Sequence, residues 1–202
     1  MPRLLLATSN AGKLSELREL FAGVAFELLS PADIGLKLDV AETGSTYAAN
    51  ARLKARAFAK ASGLLSLADD SGLEVDALGG APGVLSARYA GVGATDTARV
   101  SFLLDKLKGV PQIERRARFI CVMALSAPSG KVRQATGSCR GLITFEPKGG
   151  CGFGYDPIFY FPKLKKTMAE LPPELKNTIS HRARAARRAH RLLLTEGAAL
   201  ST

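Results

Sequence analysis

At 202 residues, 47% of them hydrophobic, the chain has the apolar content for one packed domain, and its moderate charge excludes a disordered chain. No apolar run approaches the roughly 18–20 residues that span a bilayer, and Met1-Pro2-Arg3-Leu4 leads into too short an apolar run for a signal peptide, so a cytoplasmic protein is expected. A net charge of +10 points to anionic partners, with nucleic acid, acidic lipid and free nucleotides all fitting, while Cys121, Cys139 and Cys151 are odd in number, lack C-x-x-C spacing and read as reduced structural thiols.

In chain order, 4–7 reads as a buried strand, followed by a small-residue loop. Leu14, Leu17, Leu20 and Phe21 recur at helical spacing and predict an amphipathic helix over 13–22. Residues 31–44 read as irregular, with room for one short strand. The Ala-, Lys- and Arg-rich stretch 46–62 predicts a helix with Tyr47, Ala51, Phe58 and Ala61 on its inner face and Gly63 as its stop. A second buried strand is expected over 64–68, running into Asp69-Asp70-Ser71-Gly72. A Gly- and Ala-rich loop spans 79–94, and a helix covers 97–108. Two strands, 117–126 and 131–138, flank the turn Ala127-Pro128-Ser129-Gly130. A short strand follows at 157–161, and a basic helix at 180–195. There is no repeat, low-complexity tract or linker. Strands alternate with helices but a hairpin interrupts the series, which predicts an α/β fold with a mixed sheet.

Four segments carry chemistry-bearing residues, each with two readings. In Ala7-Thr8-Ser9-Asn10-Ala11-Gly12-Lys13 a strand–loop–helix unit aims backbone N–H groups at whatever sits at the helix start. Short donors, one glycine and one lysine suit phosphate oxygens, although the Walker A pattern is absent. The other reading is that Ser9 or Asn10 only caps the helix. Asp69-Asp70 places two carboxylates at the end of an apolar strand, which suits Mg2+ bound through one or two carboxylates with waters and phosphates. Glu42, just before a helix, could join them; the alternative is an ordinary Asp cap or turn. The segment 149–156 has four glycines in six residues, then Tyr155 and Asp156, with Phe153 among the glycines. Such density permits close backbone approach to a flat ligand, and Phe153 could stack on a base; a hairpin with packed aromatics fits equally. Finally, Lys176, Ser180, His181 and Arg182 gather a cation, a hydroxyl, an imidazole and a guanidinium at the start of the basic helix. They could hold phosphate or read a base edge, or His181 could merely cap. From Lys176 to Arg191 there are six Lys/Arg and no acid, which also describes a solvated helix face.

Taken together, the segments 7–13, Glu42-Thr43-Gly44, Asn50-Ala51 with Lys54-Ala55, Ala68-Asp69-Asp70-Ser71-Gly72-Leu73, Gly79-Gly80-Ala81-Pro82-Gly83, Ser86-Ala87-Arg88-Tyr89, Gly152-Phe153-Gly154-Tyr155-Asp156-Pro157 and Ile179-Ser180-His181-Arg182 resemble the inosine triphosphate pyrophosphatase family, whose bacterial branch is the Ham1-like, or dITP/XTP pyrophosphatase, group. The resemblance runs from about residue 3 to residue 190, in the family's order and spacing. It implies a single domain over 1–202 with two lobes, a long bent mixed β-sheet flanked by helices, and a nucleotide cleft between the lobes. It also implies a homodimer, no membrane or required nucleic acid, and Mg2+-dependent hydrolysis of ITP, dITP and XTP to the monophosphate and pyrophosphate.

Carried over by position, Thr8, Ser9, Asn10, Ala11, Gly12 and Lys13 would lie along the triphosphate. Glu42 and Asp70, with Asp69, would hold Mg2+, and Asp70 would accept the proton of the attacking water. Ser71 would touch the substrate. Phe153, Gly154, Tyr155 and Asp156 would enclose base and sugar, and Lys176, His181 and Arg182 would reach base and phosphates. The chain departs from the family at Leu171-Pro172-Pro173-Glu174-Leu175-Lys176, where an acidic, polar stretch is expected; Lys176 keeps its distance to His181. The competing readings are a Maf-type nucleotide pyrophosphatase, which the 153–156 and 180–182 segments disfavour, and a basic nucleic-acid-binding module. The acids Glu42, Asp69 and Asp70 beside glycine loops, and an aromatic content of 6%, disfavour the latter.

Overall fold

The computed structural model describes residues 1–200, with side chains through 195. Among the described residues seven strands form one sheet in the order β2-β1-β3-β4-β5-β6-β7. They are β1 (Arg3–Leu6), β2 (Glu27–Leu29), β3 (Leu65–Val75), β4 (Arg116–Ser126), β5 (Val132–Ile143), β6 (Phe159–Phe161) and β7 (Lys166–Thr167). Five α-helices accompany them: α1 (Ala11–Leu20), α2 (Tyr47–Ser62), α3 (Asp96–Lys106), α4 (Pro173–Ile179) and α5 (His181–Leu200). β1 pairs in parallel with β2 and β3, while β6 pairs antiparallel with β5 and β7. The expected mixed α/β sheet is therefore present. Among the described residues no helix is long and apolar enough to cross a membrane.

The chain divides into two compact units. The first comprises 1–70, 121–137 and 182–202. Its centre is β1, whose Leu4, Leu5 and Leu6 are fully buried because a strand flanked on both edges by parallel partners and covered on both faces needs a continuous apolar run. Leu17 and Phe21 of α1 pack there with Leu65, Leu67, Met123, Leu125 and the small face of α5, Ala185, Ala186 and Ala189. Caps set the helix limits. Asn10 accepts the N–H of Lys13 at 2.9 Å and Thr46 that of Ala49 at 3.1 Å. Gly63 closes α2 in the left-handed region at φ 68°. The buried face of α2 carries Tyr47, Ala51 and Phe58 as expected, but with Asn50, Ala55 and Ala59; Ala61 is exposed.

The second unit comprises 71–120 and 138–181. Leu73, Val75, Val100, Leu103, Leu107, Phe119, Ile158, Phe159 and Met168 form its core. The Phe119 ring lies 4.7 Å from that of Phe159 and stacks on His181 at 4.5 Å. Several expected boundaries move here. The strand expected to end at 68 continues to Val75, the loop expected over 79–94 contains a 3-10 turn at Gly83–Arg88, and residues 157–158 belong to a 3-10 turn ahead of β6. The prolines before Lys176 start α4 rather than block it, since Pro173 occupies the first helical turn, where a missing N–H costs nothing.

Leu17 is fully buried on a helix, where alanine is an excellent residue, so its truncation tests packing alone. Leu17→Ala should lower the unfolding free energy by about 2–5 kcal/mol in urea denaturation; an unchanged midpoint would show that α1 adds nothing to the first unit's core.

Candidate active site

The first unit gathers most of the predicted residues around Asp69 and Asp70, in the middle of β3. Asp69 is 1% exposed. Its Oδ2 lies 3.1 Å from Lys13 Nζ and accepts from Arg182 Nη2 at 3.2 Å. Arg182, itself 2% exposed, donates through Nη1 to Glu16 at 2.6 Å. The Cys121 Sγ lies 3.9 Å from the same Asp69 oxygen, and burial pushes that thiol's pKa up. Burial works against an ionised Asp69, but Lys13, Arg182 and Lys54 outweigh it and hold the carboxyl well below the ordinary carboxylate range. Arg182 is held charged by Asp69 and Glu16 against its own burial.

Asp70 lies in a different setting. Asn50 Nδ2 donates to its Oδ2 at 3.1 Å, and Lys54 Nζ stands 4.0 Å from its Oδ1. Lys54 is nearer Glu42, at 2.6 Å from Oε1. Burial raises the Asp70 pKa and the charge of Glu42 adds to it, against the pull of Lys54. The Glu42-Thr43-Gly44 turn is tied to the same helix, since the Gly44 N–H donates to Asn50 Oδ1 at 2.8 Å. Gly44 is required there: a Cβ would lie 2.7 Å from both the Asn50 oxygen and the Ala49 Cβ. Thr8, Gly12 and Lys13 are half-buried, and Ser9, Asn10 and Ala11 exposed, so the loop presents amides and short donors to solvent at the start of α1. Asn10 does cap the helix, and it also donates its own N–H to Thr8 Oγ1 at 3.2 Å.

The second unit holds the glycine-rich segment. Asp156, 4% exposed, accepts from Lys176 Nζ at 2.6 Å and from the Phe153 N–H at 3.1 Å. Lys176 lies 5.2 Å from the centroid of the half-buried Phe153 ring. Gly152 leaves no room for a side chain, since a Cβ would meet the Asp156 carboxylate and stand 2.8 Å from Lys176 Nζ. Tyr155 is buried with its hydroxyl donated to the Ser86 carbonyl at 3.0 Å. His181 belongs to this unit through its stack on Phe119, and Ser71 opens it one residue after Asp70.

Glu16, Asn50 and Lys54 were absent from the predicted site. Asn50 and Lys54 stand one helical turn apart on α2, and the signal was a fully buried amide in an otherwise alanine-rich inner face. Of the basic run, Lys176 and Arg182 are buried, whereas Arg184, Arg187, Arg188 and Arg191 are exposed on α5. Among the described residues no group of three or more His, Cys, Asp or Glu could hold a metal ion.

The model of the Ham1 family matches residues 4–192. A dITP/XTP pyrophosphatase from Desulforamulus reducens is 52% identical over 191 residues, 95% of each chain. One from Geobacillus kaustophilus is 51% identical over 185 residues, 92% of this chain and 91% of that one. The structure of a HAM1 protein from Coxiella burnetii superposes with a TM-score of 0.87 at 43% identity, covering 96% of this chain and 99% of that one.

The depressed pKa of Asp69 makes a signed prediction. A carboxyl whose folded pKa lies below its unfolded value of about 3.9 contributes its full stability above that pH and loses it as pH falls towards the folded value. Unfolding free energy should therefore drop on acidification below about pH 4. Asp69→Asn should flatten that drop and, by leaving Lys13 and Arg182 without their carboxylate, cost about 3–5 kcal/mol at pH 7. Denaturation curves across pH 3–8 measure both; an Asp69→Asn variant as stable as the parent at pH 7 would show that the ion pairs add nothing net.

Proposed function

Because the chain belongs to the Ham1 family across residues 4–192, we propose that it is a nucleoside triphosphate pyrophosphatase that hydrolyses dITP, ITP and XTP to the monophosphate and pyrophosphate, clearing non-canonical purines from the cytoplasmic nucleotide pool. The observation that carries this reading is the pair of carboxylates Asp70 and Glu42 sharing Lys54 in the first unit. It has the chemistry of a hydrolytic site that works on a highly charged anion.

The charge count supports a divalent cation. Around the middle of β3 stand three cations, Lys13, Lys54 and Arg182, and four carboxylates, Glu16, Glu42, Asp69 and Asp70. The cluster is thus net negative and by itself repels a triphosphate. Hard carboxylate oxygens in a set of two fit Mg2+, which binds proteins through one or two carboxylates and fills its remaining positions with water and phosphate. We assign Glu42 and Asp70 to it. Asp69, already engaged by Lys13 and Arg182, serves mainly to hold those cations. When bound, Mg2+ would neutralise charge on the phosphates and on the departing pyrophosphate.

The chain's own groups account for the rest. Asp70 accepts the proton of the water that attacks the α-phosphorus; its raised proton affinity makes it a better base than an exposed carboxylate. Asn50 fixes the orientation of that carboxylate through its amide. Lys13, steadied by Asp69, and the N–H groups at the start of α1 face the developing negative charge. Phe153 stacks on the base, and the Lys176 ammonium protons act as donors toward a 6-oxo group. Adenine's amino group would face those donors unpaired, which is costly in a buried pocket. The homodimer implied by the resemblance belongs to the same proposal.

The test is pyrophosphate release from ITP, XTP, GTP and ATP with Mg2+ and with EDTA. Rapid Mg2+-dependent release from ITP and XTP, with GTP and ATP nearly inert, is expected. Asp70→Asn should lower kcat by about 10²–10⁴-fold; near-parental turnover would remove Asp70 from the role of base.

A further inference from the structure

The glycine-rich segment of the second unit is held from outside itself. Asp96, the first residue of α3, accepts the Gly154 N–H through Oδ2 at 2.7 Å. Its other oxygen pairs with Arg99 one turn on, and Arg99 donates to the Ala87 carbonyl at 2.7 Å. The neighbouring Tyr155 donates its hydroxyl to the Ser86 carbonyl, while Ser86 Oγ accepts the Leu73 N–H at 2.9 Å and donates to the Gly83 carbonyl at 2.6 Å. Two successive residues of the segment are thus fastened to the 83–88 turn, one through α3 and one directly, and that turn is fastened to β3.

Capping does not explain Asp96. Thr95 already caps α3 by accepting the Ala98 N–H at 3.1 Å. The carboxylate reaches instead across 58 residues of sequence to a backbone amide, and Arg99 fixes its rotamer. Gly154 sits in the left-handed region at φ 64°, which glycine adopts without strain, and its N–H is held there by the Asp96 carboxylate. A bond from an ionised carboxylate to an amide is among the stronger hydrogen bonds. Asp96 holds the segment whose Phe153 is assigned to the base, so its influence falls there.

We propose that Asp96 is a positioning residue for purine recognition: by fixing the Gly154 amide it sets the poses of Phe153 and Tyr155, and through them the affinity for the base. The inference rests on the pyrophosphatase reading. It adds a residue outside the 153–156 segment to the determinants of substrate choice.

Steady-state ITP hydrolysis by the parent, Asp96→Ala and Asp96→Asn tests it, with inorganic tripolyphosphate as a competitive inhibitor that probes the phosphate end alone. A contact made equally in the ground and transition states changes KM and spares kcat. Asp96→Ala should raise KM for ITP about tenfold, with kcat within about twofold and inhibition by tripolyphosphate unchanged. Asp96→Asn keeps an oxygen for the Gly154 N–H and should return KM to within about threefold of the parent. Arg99→Ala leaves that acceptor in place and should give a smaller rise in the same direction, which keeps the test open should Asp96→Ala fold poorly. A parental KM in Asp96→Ala, an equal loss of tripolyphosphate affinity, or an Asp96→Asn variant as impaired as Asp96→Ala would each overturn the proposal. A parent that does not turn over ITP at all would overturn the activity, and this inference with it.

Discussion

Asp69 is buried to 1% exposure in the middle of β3, where an uncompensated carboxylate would cost several kcal/mol. Lys13 comes to it from the first turn of α1 and Arg182 from the first turn of α5, residues 169 positions apart in sequence. One buried anion thereby sets where two helices may begin. Glu16 extends the constraint, because Arg182 bonds it as well and so locks the first turn of α1 against the start of α5. The 8–13 loop inherits its place from this arrangement. Were Asp69 apolar, the Lys13 ammonium would lack the carboxylate that holds it.

The adjacent Asp70 shows the opposite electrostatics. Successive side chains on a strand point to opposite faces, so Asp69 meets Lys13 and Arg182 while Asp70 meets Asn50 and Lys54 of α2. One carboxyl is driven below its ordinary pKa and its neighbour above it. Two identical residues thus acquire opposite proton affinities, Asp69 through the cations beside it and Asp70 chiefly through its burial, the kind of separation that divides acid and base roles in general.

The partners behind that difference were not legible in two aspartates in a row, although the family resemblance already singled out Asp70. What was legible followed from periodicity and caps. The run 4–7, the helix at 46–62 with its Gly63 stop, and the hairpin around 127–130 declare themselves locally. The continuation of β3 from Asp69 to Val75 did not, because Asp69, Asp70, Gly72 and Glu74 break the apolar pattern and owe their extended conformation to tertiary partners. β2 and β7 are three and two residues long, too short for any period to register. The candidate site residues could be named from the family resemblance. The pairings among them, Asp156 with Lys176 and Asp69 with Arg182, join residues 20 and 113 positions apart and emerge only once the chain is folded.

The net charge of +10 takes a different meaning in this light. The buried cations Lys176 and Arg182 are matched by carboxylates, and the cluster around β3 is net negative. The excess positive charge therefore lies at the surface, with Arg184, Arg187, Arg188 and Arg191 exposed along α5. Surface charge of one sign raises the encounter rate with anions and fades with ionic strength. In the proposed reaction the carboxylate cluster would take its anion together with a cation. Long-range attraction and local recognition would then come from different residues, which is why the overall charge, read from composition, was compatible with nucleic acid and lipid as well as with a nucleotide.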